Sequence, residues 1–338
     1  MKTSMPDIVG NISLRHRLCE DILNNSLSHA YILAGPRGSG KHRIAMQYAA
    51  AVACENKHDQ DLPLPCSRCP SCRKILEGKS PDVITVKKDG LSVKIGQIRE
   101  LQTDVRTVPN DLDDKFYIIE DAQTMTRDAQ NAFLLTLEEP PSFVHFFLLC
   151  ESAEPLLETV RSRAPVLRTE PISSAEIRKY LLQTNEAAAK LAQTDAAAFS
   201  DLLAIADGSI GRAEELVDEK EREPHVLRRK TAEELVSLAL HRNIVPLLDL
   251  INSLPTKQDE LLPILSTAGV VLRDLIALKQ SGDAPLCFYV DREIAMEKAY
   301  SFSLSAMLSL YDVLTDTADT ISKNVNMKLC LTAMIAKL

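Results

Sequence analysis

The chain of 338 residues carries, near its start, the segment Ala30-Tyr-Ile-Leu-Ala-Gly35-Pro-Arg-Gly-Ser-Gly40-Lys41. Its first five residues form a short apolar run, which is typical of a buried parallel strand, and after Lys41 the apolar side chains recur at helical spacing. A glycine-rich turn between a strand and a helix predicts a phosphate-binding loop, in which backbone N–H groups surround the phosphates and Lys41 reaches their β and γ oxygens. The loop would comprise Gly35, Pro36, Arg37, Gly38, Ser39, Gly40 and Lys41. A chance glycine-rich turn is the alternative, and the flanking strand and helix weigh against it.

Strand and helix patterns continue to alternate through the first half of the chain. Further strand candidates are residues 82–86, 116–119 and 146–150, and a helix between the last two ends at Pro140-Pro141. This alternation predicts an α/β fold built on a doubly wound parallel sheet.

The patterns after residue 166 are helical, and no strand is predicted from Ser173 onward. We therefore predict three domains: a sheet domain over 1–165, a small helical domain over 166–222 and an all-helical bundle over 223–338. The charged run at residues 218–222 is interpreted as a solvated linker or an exposed helix end.

Composition and charge limit the classes of function. Hydrophobic residues make up 45% of the chain and charged residues 25%, the ordinary balance of a soluble globular protein. No uninterrupted apolar run approaches the roughly 18 residues that a membrane span needs, and the N-terminal residues 1–7 lack the apolar core of a signal peptide. We expect a cytoplasmic protein without a membrane partner. The net charge of −8 weighs against a protein that grips long stretches of DNA unaided.

Two departures from the usual nucleotide-site pattern predict a loss of catalytic groups. His42 stands where a Ser or Thr hydroxyl would help to hold Mg²⁺, and an imidazole is a poor substitute for an oxygen ligand. The pair Glu120-Asp121 follows an apolar strand in the reverse of the order Asp-Glu that such folds use to hold Mg²⁺ and to activate water. A catalytic group displaced by about 1 Å can cost on the order of a hundredfold in rate. Nucleotide binding could survive these changes, whereas ATP hydrolysis with Mg²⁺ is not expected to be efficient.

Four cysteines form a compact metal-binding pattern. Cys54, Cys66, Cys69 and Cys72 have the spacing C-x11-C-x2-C-x2-C, and a C-x2-C pair brings two thiolates to one ion from a tight turn. Iron–sulfur ligation and four unpaired buried thiols are the alternatives. We predict a structural Zn²⁺ site, because a closed shell of four thiolates leaves no position for a substrate. The scattered cysteines are expected to be core residues; they are Cys19, Cys150, Cys287 and Cys330.

Several segments together resemble the bacterial clamp-loader subunits of the AAA+ class. They are Ser28-His-Ala-Tyr31 before the predicted phosphate loop, the four cysteines after the helix that follows this loop, Asn131-Ala-Phe-Leu-Leu-Thr-Leu-Glu-Glu-Pro-Pro141, Ser162-Arg163, Gly208-Ser-Ile-Gly-Arg212 and Asn324-Val-Asn-Met-Lys-Leu329. Ala164 replaces the cysteine that usually follows the Ser-Arg pair in that family. The resemblance implies an AAA+ sheet domain, a small helical lid and a C-terminal all-α collar.

Within that family the chain is more similar to delta prime subunits than to gamma/tau subunits. Gamma/tau subunits keep a Lys-Thr phosphate loop and an Asp-Glu pair, which His42 and Glu120-Asp121 do not match. The segments Ser80-Pro-Asp82 and Lys94-Ile-Gly-Gln-Ile-Arg99 resemble the corresponding delta prime sequences.

The resemblance implies a role in DNA replication, as part of the DNA polymerase III holoenzyme, a nucleotidyltransferase. The chain would join gamma/tau and delta subunits in a five-membered ring that places the sliding clamp on primer–template DNA, which it would meet mostly through the complex. Arg163 would be an arginine finger for ATP held by the adjacent subunit, and Arg212 would lie near the phosphate loop as a sensor of nucleotide. Its own ATPase activity would be weak or absent.

Two other functions stay open at this point. The first is a catalytically active gamma/tau-type ATPase, which Lys41 favours and His42 disfavours. The second is a zinc-dependent nucleic-acid-binding module, which the acidic charge and the absence of a basic surface with interspersed aromatic residues disfavour.

Overall fold

A computed structural model describes residues 5–323 and 325–337 of the chain. Asn324, the first residue of the last segment that resembles clamp-loader subunits, and the N-terminal residues 1–4 lie outside the described residues. The strands of the described part are β1 Ala30–Ala34, β2 Val83–Val86, β3 Lys115–Ile119, β4 Val144–Cys150 and β5 Val166–Arg168. Its helices are α1 Ile12–Leu23, α2 Lys41–Val52, α3 Pro70–Leu76, α4 Ile95–Asp104, α5 Arg127–Glu138, α6 Glu158–Arg161, α7 Ser174–Thr184, α8 Glu186–Thr194, α9 Ala196–Ala206, α10 Ile210–Glu215, α11 Glu219–Leu240, α12 Ile244–Ser253, α13 Gln258–Gln280, α14 Arg292–Ser301, α15 Leu304–Ser322 and α16 Met327–Ala336.

The five strands form one parallel sheet in the order β2-β3-β4-β1-β5. Ala30 of β1 lies opposite Phe146 of β4, and Ile32 lies opposite Val166 of β5. The predicted α/β fold with a doubly wound parallel sheet is therefore confirmed. In a parallel sheet the carboxyl ends of all strands meet at one edge, so the segments that follow β1, β3, β4 and β5 come together there.

The sequence analysis found four of the strands and missed β5. In β5 only Leu167 is buried, while Val166 and Arg168 are exposed. A three-residue strand with a single buried side chain has no apolar run, because it lies at the edge of the sheet and covers little of the core.

Apolar side chains cover both faces of the sheet. On one face, α1, α2 and α3 pack around Tyr31, Tyr48 and Phe147, whose rings lie 5.0 to 5.8 Å apart between centroids. On the other face, α4, α5 and α6 pack around Phe133 and Phe146, whose rings meet edge to face at 5.2 Å. Helices on both faces bury every residue of β1, β3 and β4, which explains why these strands are apolar apart from Lys115 and His145.

By internal contacts the chain divides into two compact units. The first consists of Met1–Tyr180 with Gly208–Arg212, and the second of Leu181–Asp207 with Ala213–Leu338. Helix α11 continues across residues 222 and 223, where a domain boundary is predicted, and it begins in the predicted charged run. The division into three domains stays a prediction.

The described residues of the second unit form helices joined by loops, with no strand. Its core includes the predicted apolar residues Leu261, Leu265 and Leu272 of α13, while Ile276 is partly buried. Helix α13 is long and apolar enough to cross a membrane by length and composition alone, but half of its apolar window is buried inside the protein, as in a core helix of a bundle. Buried Asp274 on this helix accepts hydrogen bonds from the backbone N–H groups of residues 287–289 and so holds that segment against α13.

The scattered cysteines follow the prediction only in part. Cys19 and Cys150 are buried and Cys330 is partly buried, as expected of core residues. The prediction is wrong for Cys287, which is exposed because it lies in the segment between α13 and α14 rather than on a buried helix face.

A buried carboxylate fixes the segment that leads into β3. Asp82 is fully buried, and its two carboxylate oxygens accept hydrogen bonds of 2.7 to 3.0 Å from the backbone N–H groups of Asn110, Asp111 and Leu112. Burial alone would raise the pKa of the Asp82 carboxyl, but these hydrogen bonds outweigh it and hold the pKa below its usual value.

We predict that Asp82→Asn lowers the free energy of unfolding at neutral pH by about 2 kcal/mol, because an amide cannot accept three backbone hydrogen bonds in the same way. The contribution of Asp82 to the free energy of unfolding should be complete above the pKa that its carboxyl has in the unfolded chain, near 4. It should be lost as the pH falls through the lower pKa of this carboxyl in the folded protein. Urea unfolding at several pH values measures both effects. Asp113→Asn, an exposed substitution in the same segment, is the control. Equal losses in both variants, or a loss that does not change with pH, would contradict this account.

Candidate functional site

The glycine-rich loop after β1 has the backbone conformation of a turn that opens a helix. Gly38 and Gly40 have φ of +74° and +83°, in the left-handed region that glycine adopts without strain. Helix α2 begins directly after Gly40, and the N–H of Ile44 donates to the Gly40 carbonyl at 2.9 Å. The predicted strand, loop and helix therefore occur in that order at the carboxyl edge of the sheet.

Lys41 lies against its own loop. Its Nζ donates to the carbonyl oxygens of Gly35 and Pro36, each at 2.7 Å. Burial lowers the pKa of Lys41, and the nearby carboxylates of Glu151 and Asp121 oppose that shift. A phosphate group at this loop would compete with the two carbonyls for the ammonium group.

Two side chains fasten the loop to the end of β5. The hydroxyl of Thr169 donates to Ser39 Oγ at 2.9 Å, and both residues are buried. A Cβ atom added to Gly35 would lie 1.8 Å from Thr169 Oγ1, so this close approach requires glycine. The sequence analysis missed Thr169 because β5, which positions it, was not predicted.

The predicted sensor turn, residues 208–212, lies on the phosphate loop within the same compact unit. The N–H of Gly211 donates to the Gly38 carbonyl at 3.2 Å, and Ser209 Oγ lies 2.2 Å from where a Cβ atom on Gly38 would be. Ser209 Oγ also accepts the N–H of Arg212 at 3.1 Å. The backbone of Arg212 is thus next to the loop, as the resemblance implies, although its role as a nucleotide sensor stays a prediction.

The two acidic residues after β3 each contact another side chain of this chain. His42 Nδ1 lies 2.9 Å from Glu120 Oε1, and because an ionised carboxylate only accepts hydrogen bonds, Nδ1 is the donor. Lys88 Nζ lies 3.0 Å from Asp121 Oδ2. Sequence analysis identified three of these residues as site residues but not Lys88, which sits just beyond β2 and gave no signal on its own.

This arrangement does not fit a magnesium site. Mg²⁺ demands several oxygen ligands at about 2.0–2.1 Å in octahedral geometry. Here Glu120, the acid at the position that would hold the ion, is bonded to the imidazole that replaces the usual hydroxyl ligand. Separating that pair to admit the ion would expose an imidazole, which Mg²⁺ binds poorly.

A cleft of about 680 Å³ opens beside the loop at the carboxyl ends of β1, β4 and β5. Its charged lining consists of Glu151, Glu154, Arg161 and Arg168. Sequence analysis did not identify these residues. Glu151 and Glu154 follow β4 without a motif, Arg161 lies on the four-residue helix α6, and Arg168 lies on β5, which was not predicted. With two acids and two arginines the formal charge of the lining is balanced.

Arg163 makes its described hydrogen bonds to α5 and α6. Its Nη2 donates to Glu138 Oε1 at 2.7 Å and its Nη1 to the Thr159 carbonyl at 3.0 Å. The Arg163 side chain is 35% exposed, so solvent reaches part of it. These contacts hold Arg163 at the surface of the sheet unit.

The four predicted cysteine ligands come together in a separate place, on the face of the sheet covered by α2 and α3. All four are buried, and their Sγ atoms lie within 4.8 Å of one another. A tetrahedron with bonds of about 2.3 Å to sulfur has edges of about 3.8 Å, so the cluster could hold a metal ion after small side-chain movements. The donor set of four sulfur atoms suits zinc or an iron–sulfur centre and excludes Mg²⁺ and Ca²⁺.

Backbone N–H groups support the thiols of this cluster. Cys66 Sγ accepts the N–H of Cys69 at 3.4 Å, and Cys69 Sγ accepts the N–H of Cys72 at 3.5 Å. Burial raises the pKa of the Cys54 and Cys72 thiols. For Cys66 burial acts in the same direction, but N–H donors of Arg68 and Cys69 outweigh it and lower the pKa to about 6. A lowered pKa favours the thiolate, which is the form of cysteine that binds metals.

Comparison with known proteins relates the sheet unit to subunits of DNA polymerase III. A family model described as "DNA polymerase III, delta subunit" matches residues 11–173. The delta' subunit of DNA polymerase III from Bacillus subtilis (strain 168) is 34% identical over 166 residues, which cover 49% of this chain and 49% of that protein. The tau subunit from the same organism is 31% identical over 214 residues, which cover 63% of this chain and 37% of that protein. The chain thus spans about half of the first of these relatives and less of the second.

The solved structures are related more distantly. A DNA polymerase III gamma subunit-related protein from Thermotoga maritima is 15% identical, with a TM-score of 0.42, over 95% of this chain and 97% of that chain. The family model's match, residues 11–173, spans the glycine-rich loop, the four cysteines and Arg163. Residues 11–173, just under half of the chain, are thus similar to DNA polymerase III clamp-loader subunits.

Proposed function

We propose that the chain acts as a delta prime subunit of the DNA polymerase III clamp loader, a ring member that hydrolyses little or no ATP itself. It would assemble in the cytoplasm with gamma/tau and delta subunits into a five-membered ring, and would place the sliding clamp on primer–template DNA through that complex. The observation that carries this proposal is the pairing of His42 with Glu120 at 2.9 Å. An ATPase of this fold would use the groups at these two positions to hold Mg²⁺. In this chain His42 and Glu120 contact each other instead.

The charges around the phosphate loop support the same conclusion. Lys41 is bonded to two carbonyls of its own loop, and Asp121 is paired with Lys88. Each of these contacts would have to break before Mg²⁺ and a triphosphate could bind in a hydrolytic arrangement. In an active ATPase, charged groups that are already in place lower the activation barrier for hydrolysis. Here the same groups would first have to leave their present partners, which would raise that barrier.

The role of arginine-finger donor rests on Arg163. A guanidinium supplied by a neighbouring subunit stabilises the charge that develops on a transferred phosphoryl group, an effect worth about 10³ to 10⁵ in rate in other systems. Arg163 is held near the surface, with part of its guanidinium exposed. Its family match and its accessibility support this role together.

A gamma/tau-type ATPase remains the second candidate, because the tau subunit of B. subtilis matches more of this chain than the delta' subunit does. This candidate requires the His42–Glu120 pair to separate during each cycle. A third candidate, a zinc-dependent nucleic-acid-binding module, has less support because the chain carries a net charge of −8.

We predict that the purified chain with Mg²⁺ has negligible steady-state ATP hydrolysis. When the chain is mixed with the tau-type subunit of its own organism, the complex should hydrolyse ATP. With the Arg163→Ala variant that rate should fall by at least about a hundredfold, because the guanidinium supplied to the neighbouring subunit is lost. Arg17→Ala removes an exposed arginine from α1 and is the matched control.

The opposite pattern would identify the second candidate. Robust hydrolysis by the chain alone, abolished by Lys41→Ala and insensitive to Arg163→Ala, would mean that this protein is itself a motor subunit. Salt-dependent DNA binding by the isolated chain would instead revive the third candidate.

We also propose that the cysteine cluster holds a structural Zn²⁺ ion. All four ligand atoms are sulfur and buried, and the short helix α3 begins within the C-x2-C-x2-C run, with Cys69 as its N-cap. Such a closed site contributes to folding and leaves no coordination position for a substrate. Zinc would join α2 to the loop that precedes α3.

We predict one zinc ion per chain by elemental analysis, and its loss in a Cys72→Ser variant, because a structural site needs all four ligands. Chelation should make residues 54–72 the first segment cleaved in limited proteolysis. Cys330→Ser, outside the cluster, should retain the metal. Iron instead of zinc, or unchanged proteolysis after chelation, would refute the assignment.

A further inference from the structure

We propose that Glu138 is a positioning residue for Arg163, an inference that rests on the arginine-finger function proposed above. Glu138 Oε1 accepts a hydrogen bond from Arg163 Nη2 at 2.7 Å, the shortest link between the Arg163 side chain and α5. Glu138 is the last residue of α5, directly before Glu139 and the two prolines that end this segment. The carboxylate thus lies at a fixed end of a helix rather than on a mobile loop.

The two segments that carry this pair are fastened to each other by a buried amide. Gln130 of α5 is 4% exposed, and its Oε1 accepts the N–H of Leu157, the residue before α6, at 2.7 Å. Its Nε2 donates to the carbonyls of Met125 and Pro155. The backbones that carry Glu138 and Arg163 are therefore held to each other by a buried contact.

Arg163 retains donors for a second partner while it is held. A guanidinium has five N–H donors in a planar fork. One hydrogen bond goes to Glu138 and one to the Thr159 carbonyl, so three N–H groups are left to contact a phosphate. The two intramolecular bonds fix the plane of the fork, which removes the entropy cost of ordering a free arginine when the neighbouring nucleotide reacts.

The exposure of the pair argues against a role in folding stability. The side chains of Glu138 and Arg163 are 46% and 35% exposed, and ion pairs in such positions contribute little to stability. A rival account is that Glu138 sequesters Arg163, holding it back from the neighbouring subunit. The two accounts predict opposite changes in rate when the carboxylate is removed.

The test is steady-state ATP hydrolysis by the complex of the full chain with the tau-type subunit of its organism, comparing Glu138→Ala, Glu138→Gln and Arg163→Ala. If Glu138 only orients Arg163 in the transition state, its loss should affect turnover and not ATP binding. Glu138→Ala should therefore lower kcat roughly three- to tenfold and leave the KM for ATP unchanged within about twofold. Glu138→Gln should recover most of this loss, since its amide oxygen still accepts from Nη2. Glu139→Ala is the matched control, because Glu139 is exposed and has no ion pair among the described residues.

Each outcome decides between the accounts. A kcat for Glu138→Ala equal to that of Glu139→Ala, or no recovery in Glu138→Gln, would overturn the positioning role, and a higher kcat would establish sequestration instead. If Arg163→Ala itself leaves the turnover of the complex unchanged, the arginine-finger function fails and the inference falls with it. A large effect of Arg163→Ala without an effect of Glu138→Ala would reject only the inference. The melting temperature of Glu138→Ala should match that of the control, which separates positioning from a loss of fold.

Discussion

The pairing of β1 with a strand on each side is the constraint on which the candidate site depends. Backbone hydrogen bonds connect β1 to β4 through Gly35 and Cys150, and to β5 through Ala34 and Thr169. Because the strands are parallel, these bonds bring the glycine-rich loop, the acidic pair after β3 and Thr169 to the same edge. A change of strand order would disperse these groups even if every local motif were retained.

The polar groups at this edge have partners within the chain. The pairs His42–Glu120 and Lys88–Asp121, together with the bonds from Lys41 to loop carbonyls, satisfy groups that an active ATPase would direct to magnesium and phosphate. The loop is also fastened from both sides, by Thr169 and by the turn at residues 208–212. The result is a glycine-rich loop held in place by polar contacts within the chain.

The remaining candidate features lie apart from this edge and serve different physical purposes. The four cysteines are buried beside α2 and α3, as part of the core on that face of the sheet. The loop that carries them is polar, so a bound metal could stabilise it where apolar packing is sparse. Arg163 lies at the surface, where an exposed guanidinium can reach another subunit but contributes little to the fold.

The sequence alone determined the features that depend on residues close together in the chain. The strand–loop–helix segment, four of the five strands and the cysteine cluster could be predicted, because apolar periodicity, glycine placement and C-x2-C spacing are local signals. Only the tertiary structure decided three polar contacts. His42 contacts Glu120, and Arg163 donates a hydrogen bond to Glu138. Thr169 donates a hydrogen bond to Ser39, which lies 130 residues earlier in the chain. β5 and its contacts could not be predicted, because a strand with one buried residue has no pattern of its own. Polar contacts of this kind follow from which strands lie side by side, and that order is set by packing of the whole sheet rather than by any single segment.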